Sequence, residues 1–266
     1  MKKNYEKERE KESEREREQK PSHQRLDEWE KLDDDGYLYH KIQWDTPKRS
    51  TIAFEAFANE HIVNSKNIID MGAGSGAATA TIAIKHSNVY FTAFDYSSEL
   101  TNTGSKIAYE KGITNLSFEQ GDWFNLAKPK KYDGCISLQT LSWLPDYRQP
   151  LEVIFRKINP NWLALTSLFY EGDITCRIEV EEHKKNKKMF YNVYSLPAIR
   201  RLCNEEGYLL IKATPFEIDI DINKPDNLDF MTTYTRKLVV DKTSQERIQI
   251  SGPLLMNWYM LLIKKN

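Results

Sequence analysis

A doubly wound α/β sheet is the fold class this sequence predicts, and three observations predict it. The run Asn67-Ile-Ile-Asp70 is a short β-branched strand that breaks at glycines 72, 74 and 76 and resumes as an Ala/Thr-rich helix. Two more strand-like runs, Val89–Phe94 and Asn115–Gln120, each lead into an acidic residue and are separated by a helical stretch. Trp162–Phe169 runs largely apolar, as a strand covered on both faces should. Strand and helix periods alternating in this way build a mostly parallel sheet with helices on either side.

The elements follow in order. Residues 1–24 form a charged tail, with 15 charged side chains in the first 20 residues and only Met1 and Tyr5 as anchors. A disordered or solvated helical tail is expected, with a partner-binding arm as the alternative. One α/β domain then covers 25–266, its first part a helical cap over 25–62 that carries Trp29, Tyr37, Tyr39 and Trp44. Thr46-Pro47 reads as a helix start, Thr as N-cap and Pro in the first turn, with Ala53, Phe54, Phe57, Ala58 and His61 on one face. Helix 76–86 follows the glycine turn, and helix 98–111 stops at Gly112. Tyr132–Leu138 is the fourth strand, Tyr147–Ile158 a helix, and Trp162–Phe169 the fifth strand. Ser195-Leu-Pro197 opens a helix with Leu196, Ile199, Leu202 and Cys203 inward, and a strand near Leu209–Thr214 follows. The last run, Leu254–Ile263, is too short to span a membrane and suits a central strand.

Two segments exceed a minimal sheet. In 171–194, alternating Ile174, Cys176, Ile178 and Val180 precede a polar turn and the aromatic run Met189–Tyr194, which predicts a hairpin on the substrate side. In 216–252, the stretches Phe216–Ile222, Tyr234–Val240 and Arg247–Ile250 predict extra β structure.

The glycine turn carries the chemistry. Glycines at alternate positions let the backbone turn sharply and approach a ligand closely, and the next helix points unsatisfied N–H groups into the turn. Gly72-x-Gly74-x-x-Ala77 also satisfies a relaxed dinucleotide fingerprint. Asp70 argues against that ligand, because a carboxylate before the turn repels a pyrophosphate and suits an amine. Asp95, at the end of the second strand, can take both hydroxyls of a ribose. Asp122, in Gly121-Asp122-Trp123 after the third strand, can accept from an adenine amino group, with Trp123 covering the ring. Three carboxylates at successive strand ends, with no Lys or Arg in the turn, suit an adenosine bearing an amino-acid tail. Asp95 and Asp122 also read as ordinary polar strand ends.

Here the chain resembles the class I S-adenosylmethionine-dependent methyltransferases, over roughly residues 45 to 266. Asp70, Gly72, Gly74 and Gly76 match the family's first motif, Asp95 its second-strand acid, Gly121 and Asp122 its third-strand pair, and Tyr132–Trp143 its fourth strand. The resemblance implies a seven-stranded Rossmann-like sheet whose final strand inserts antiparallel between strands five and six. It implies S-adenosyl-L-methionine as cofactor, with Asp70 near the methionine amino group, Asp95 on the ribose and Asp122 near the adenine. It also implies cofactor contacts from Ala73, Tyr96, Ser97, Leu138 and Gln139, and from Tyr39 or Arg49 on the carboxylate.

The acceptor is expected between the ends of strands four and five and the hairpin. Tyr170 is a candidate to orient it, and Glu171, His183 or Asp173 to act as a base. Strand four ends in Ser137-Leu-Gln-Thr140, without the Asn/Asp-Pro-Pro turn of amino-methylating nucleic-acid enzymes and without a Pro-Cys pair. No magnesium-type carboxylate cluster is legible, so no metal is expected. A net charge of −1 draws neither nucleic acid nor an anionic membrane. Cysteines 135, 176 and 203 lack CxxC spacing, and with no hydrophobic leader the chain reads as cytosolic. The expected activity is methylation of a small polar acceptor at oxygen, such as a sugar, a nucleotide-linked precursor or another metabolite. The alternatives are a nucleic-acid or protein methyltransferase, a catalytically silent cofactor-binding subunit and an NAD(P)-dependent dehydrogenase. Oligomeric state leaves no mark in the sequence.

Overall fold

Strand β1 (Asn67–Met71) sets the two faces of the sheet, because successive side chains point to opposite sides. The computed structural model describes residues 34–126, 131–183, 187–223, 233–239, 245–251 and 258–265. The charged tail and the first residues of the cap lie outside them. β1 pairs in parallel with β2 (Tyr90–Asp95) and β4 (Gly134–Leu138), β2 with β3 (Leu116–Gln120), and β4 with β5 (Trp162–Tyr170). β12 (Trp258–Lys265) runs antiparallel to both β5 and β9 (Tyr208–Phe216). The order is β3-β2-β1-β4-β5-β12-β9, with the two-residue β8 (Tyr194–Ser195) on the end of β5. The inserted antiparallel strand is therefore where the resemblance put it.

Ile68, Phe91, Ile136, Ala164 and Leu262 face helices α2 (Arg49–Val63), α3 (Ala77–Lys85) and α4 (Ser98–Glu110), where Phe54, Ala58, Ile82 and Ala108 complete one core. Their strand neighbours Ile69, Cys135, Leu163 and Ile263 face the other way. They pack on α5 (Arg148–Val153), a π-helical turn Ile154–Ile158 that continues it, and α6 (Leu196–Glu205). Burial on both faces explains the largely apolar run of β5, buried from Trp162 to Phe169.

Two expectations are corrected. Thr46 does not open a helix: α1 (Asp34–Asp45) precedes it, and the Thr46 N–H donates to Ile42 O (2.9 Å), closing that helix. A residue before proline is disfavoured in the helical region, so the chain straightens and α2 begins at Arg49 after an extended Lys48. Phe216–Ile222 is not a strand beyond Phe216. The Ile222 N–H donates to Thr235 Oγ1 (2.8 Å) and the Ile218 N–H to Gln249 Oε1 (3.2 Å), so side chains take the amides that a ladder would use. Those acceptors sit on an antiparallel pair, β10 (Thr233–Val239) and β11 (Gln245–Ser251), apart from the main sheet. The last strand is described over Trp258–Lys265, and the expected start at Leu254 falls in 252–257, outside the described residues. After β5, β6 (Glu179–Glu182) and β7 (Lys187–Phe190) pair antiparallel, and a Cys176–Val193 bridge extends that hairpin toward the sheet. No helix among the described residues is long and apolar enough to cross a membrane.

Candidate cofactor and acceptor site

The turn after β1 is left-handed at Gly72, Gly74 and Gly76, with φ of 74°, 58° and 73°. Side chains other than glycine rarely adopt that region. A Cβ at Gly76 would also lie 2.5 Å from the Phe118 ring. The N–H groups of Gly72 and Ala73 both donate to Phe94 O, at 2.8 and 3.0 Å, which staples the turn to the end of β2. α3 then starts without a side-chain cap, leaving its first amides to the turn.

Asp70 lies beneath this turn, 1% exposed. Its Oδ2 accepts from Thr79 Oγ1 (2.6 Å), while Oδ1 is buried without a partner. Burial pushes its carboxyl up to about 7, with the charge of Asp95 adding to the shift. Asp95 accepts from the Gly74 N–H (2.6 Å) and the Ser97 N–H (2.9 Å), and burial raises its pKa too. Ser97 is buried, and its hydroxyl caps α4 through the Leu100 N–H (3.2 Å). Tyr96 is half-buried against the core. Gly121 donates to Asp95 O (2.9 Å) and rests on Phe94. Asp122 Oδ1 accepts from the Phe124 N–H (2.8 Å) and starts a short 3-10 turn. Trp123 departs from expectation: its ring is in the core, 6% exposed, with Nε1 donating to Pro150 O (2.9 Å), so it has little face to lend a ligand ring.

α1 covers the turn from above. Trp44 Nε1 donates to Ser75 Oγ (3.1 Å), and the His40 ring stands over Gly74, 3.0 Å from where a Cβ would be. Burial, aided by Lys48, lowers His40 to about 4, so it is neutral near pH 7. Lys48 donates to the Tyr39 hydroxyl and to Gln139 Oε1 (3.3 Å). Arg49, the cation favoured from sequence, points instead to Asp219 (2.8 Å) in an exposed pair. His40 and Lys48 escaped the sequence reading. Lys48, the extended residue before α2, turns toward Gln139, while Arg49, the first residue of α2, turns toward Asp219.

Past β4, Gln139 holds φ at 62°, a strained setting for a non-glycine residue that costs about 1–3 kcal/mol. Its side chain donates to Ser50 Oγ (3.1 Å), and Thr140 Oγ1 donates to Gly72 O (2.8 Å), so the β4 loop is locked to the glycine turn. Leu138, the residue before, is half-buried against the α2–α4 core. Farther along, the Ser142 N–H donates to Ser167 Oγ (2.8 Å), and the Leu168 N–H donates to Ser142 Oγ (2.9 Å). Asn192 is fully buried, and its Nδ2 donates to Leu144 O (2.8 Å) and Tyr194 Oη (3.0 Å) while its Oδ1 accepts from the Ile178 N–H (2.9 Å). These bonds clamp the loop after β4 to β5 and to the hairpin, and they set Trp143 edge-on to Tyr191 at 5.1 Å between ring centres.

Glu171 Oε1 accepts from Tyr259 Oη (2.8 Å), Tyr170 is exposed over Gly172, and His183 is exposed at the β6–β7 turn. Asp173 pairs with Arg201 (2.7 Å), whose guanidinium holds its carboxyl below the usual range. Tyr191 and Asn192 carried no signal in the sequence beyond the aromatic run itself.

A family model described as a methyltransferase domain matches residues 62–214. The malonyl-[acyl-carrier protein] O-methyltransferase of Priestia megaterium is 24% identical over 169 residues, which cover 61% of this chain and 59% of that protein. The chain thus spans under two thirds of the length of this curated relative. The structure of coclaurine N-methyltransferase bound to N-methylheliamine and S-adenosylhomocysteine superposes with a TM-score of 0.53 at 15% identity, over 63% of this chain and 50% of that one. A SAM-dependent methyltransferase from Aquifex aeolicus superposes at 0.51 with 12% identity, over 89% and 100%. At such identities the likeness is one of fold. Because the family model covers more than half of its length, the chain belongs to the methyltransferase-domain family.

Proposed function

We propose that the chain moves a methyl group to an oxygen of a small polar acceptor. The observation that carries the cofactor half of this reading is the orphaned Oδ1 of Asp70 beneath a three-glycine cradle. An ammonium donor satisfies that oxygen, and it stabilises the ionised carboxylate against burial. In this reading Asp95 holds the ribose and Asp122 lies by the adenine. Lys48, with Tyr39 and Gln139, meets the carboxylate of the amino-acid tail. Bound S-adenosylmethionine supplies a methyl carbon already activated by a sulfonium. What the protein adds is alignment: Gln139 and Thr140, locked to Gly72, fix one side of the transfer line.

Oxygen as acceptor is supported by the curated relative, whose name specifies O-methylation of a malonyl group on a carrier protein. A malonyl group held through one acyl end offers one free carboxylate, and a carboxylate needs no base near pH 7. That agrees with a site where Glu171 is engaged by Tyr259 and His183 stands at a hairpin turn. A cytosolic setting is part of the same proposal, supported by three free cysteines, two of them buried.

A labelled-methyl screen tests the reading, with malonyl thioesters, nucleotide sugars, ribosomal RNA and peptides as acceptors. Transfer to a small oxygen acceptor is expected. Label on RNA or peptide alone contradicts it.

A further inference from the structure

Helix α1 lies over the glycine turn with little of its own surface buried. Among its described side chains, residues 38–45, Trp44 alone is in the core, at 9% exposed. Leu38, Ile42 and the Tyr39 ring face solvent. A 12-residue helix is marginal in water by itself, so α1 needs a tertiary anchor to keep its place. Trp44 supplies one: the indole joins the core on the α2–α4 face, and its Nε1 donates to Ser75 Oγ (3.1 Å) in a buried bond. Ser75 is the turn residue between Gly74 and Gly76, and it is backed firmly. A Cβ at Gly104 of α4 would lie 2.1 Å from Ser75 O, so the α4 backbone already touches the turn. Glycine within a helix costs about 1 kcal/mol against alanine, and here the close approach requires it. Lys48, four residues after Trp44, folds back on α1. It donates to Tyr39 Oη, stands 4.5 Å from the centre of that ring, and reaches Gln139 Oε1 (3.3 Å).

We propose that Trp44 is a positioning residue for the amino-acid tail of the cofactor. Its bond to Ser75 pins α1 to the turn, and the pinned helix sets Tyr39 and Lys48 where the tail carboxylate arrives. This rests on the reading of Lys48 given above and adds a specificity to it. The ribose end needs no such pin, because the Gly74 and Ser97 amides hold Asp95 directly. The site therefore selects nucleosides that carry the charged tail, and the selection depends on Trp44. A tryptophan that only filled the core would support both ends of the ligand alike.

The test is calorimetric titration with S-adenosylhomocysteine and with 5′-methylthioadenosine, which has the same nucleoside and no amino-acid tail. Wild type should bind S-adenosylhomocysteine at least about tenfold more tightly, since the tail makes two charged contacts. Trp44→Phe keeps an aromatic ring and removes the donor. It should weaken S-adenosylhomocysteine about fivefold and change methylthioadenosine by less than about twofold. Ser75→Ala removes the acceptor of the same bond and should show the same split. Leu38→Ala, at an exposed position of α1, should change neither. Because Trp44 acts through Lys48, Trp44→Phe should weaken binding no further in a Lys48→Met background. Equal weakening of both nucleosides by Trp44→Phe, no weakening of either, or full additivity with Lys48→Met would overturn the proposal. Equal affinity of wild type for the two nucleosides would instead overturn the reading of Lys48, and binding of neither would overturn the cofactor site.

Discussion

The two ends of the cleft are held by different kinds of bond. On the β1–β3 side, backbone amides of one strand end meet atoms of the next: Gly72 and Ala73 on Phe94 O, Gly74 on the Asp95 carboxylate, Gly121 on Asp95 O. On the β4–β5 side, side chains far apart in the chain do the holding, with Ser142 and Ser167 separated by 25 positions and Leu144 and Asn192 by 48. The first end carries buried carboxylates that burial pushes toward neutrality; the second is held by neutral serine, asparagine and tyrosine groups. A site made from backbone demands glycines and can be seen in sequence. One made from a neutral side-chain network shows itself only when the fold brings its members together.

The largest expected effect separates the two ends by charge. Asp70 is held protonated in the fold up to about 7 but ionises near its ordinary 3.8 when unfolded. The folded state therefore binds the extra proton between those values, and stability falls as pH rises through them, by about 4 kcal/mol at most. Denaturation series at pH 5 and pH 8, which span the upper part of that window, should show a loss of about 3 kcal/mol at most in wild type and a smaller one in Asp70→Asn, where Asp95 still contributes. Equal slopes would mean that the burial of Asp70 is not what sets them.

Next comes the neutral end. Asn192→Ala removes three side-chain hydrogen bonds and strands buried partners, costing about 2–3 kcal/mol of stability. S-adenosylhomocysteine affinity, referred to folded protein, should hold. An affinity loss as large as the stability loss would merge the two ends into one unit.

In the cofactor end, Asp95→Ala should weaken S-adenosylhomocysteine by about 1–3 kcal/mol in a calorimetric titration. Unchanged affinity would remove Asp95 from the ligand. Smaller still, Lys48→Met should cost about 1 kcal/mol of that affinity, while Arg49→Ala, in an exposed pair, should cost under about 0.5 kcal/mol. The reverse order would restore Arg49 as the tail-binding cation.

What could be read in the sequence follows the same division. The turn at residues 72–76 and the alternation of strands 1–5 rest on local demands: positive φ, period-two burial and apolar runs. The antiparallel insertion of β12 came with the family resemblance, since nothing local in Trp258–Lys265 states its direction. Phe216–Ile222 misled because alternation alone does not supply a partner strand, and Thr235 and Gln249 take its amides instead. Trp123 misled because a tryptophan after a strand-end acid can turn toward the core as readily as toward a ligand. Tyr170, Glu171 and His183 stood out by residue type.

The central claim is that one nucleoside lies over the glycine turn with its tail toward Lys48, leaving the Trp143–Tyr191 side free for the acceptor. A crystal structure with S-adenosylhomocysteine tests it most directly. The account predicts the ribose hydroxyls on Asp95, the amino group over Asp70 Oδ1 and the carboxylate at Lys48. A ligand seated at Trp143 and Tyr191, or a ribose that does not touch Asp95, would contradict it.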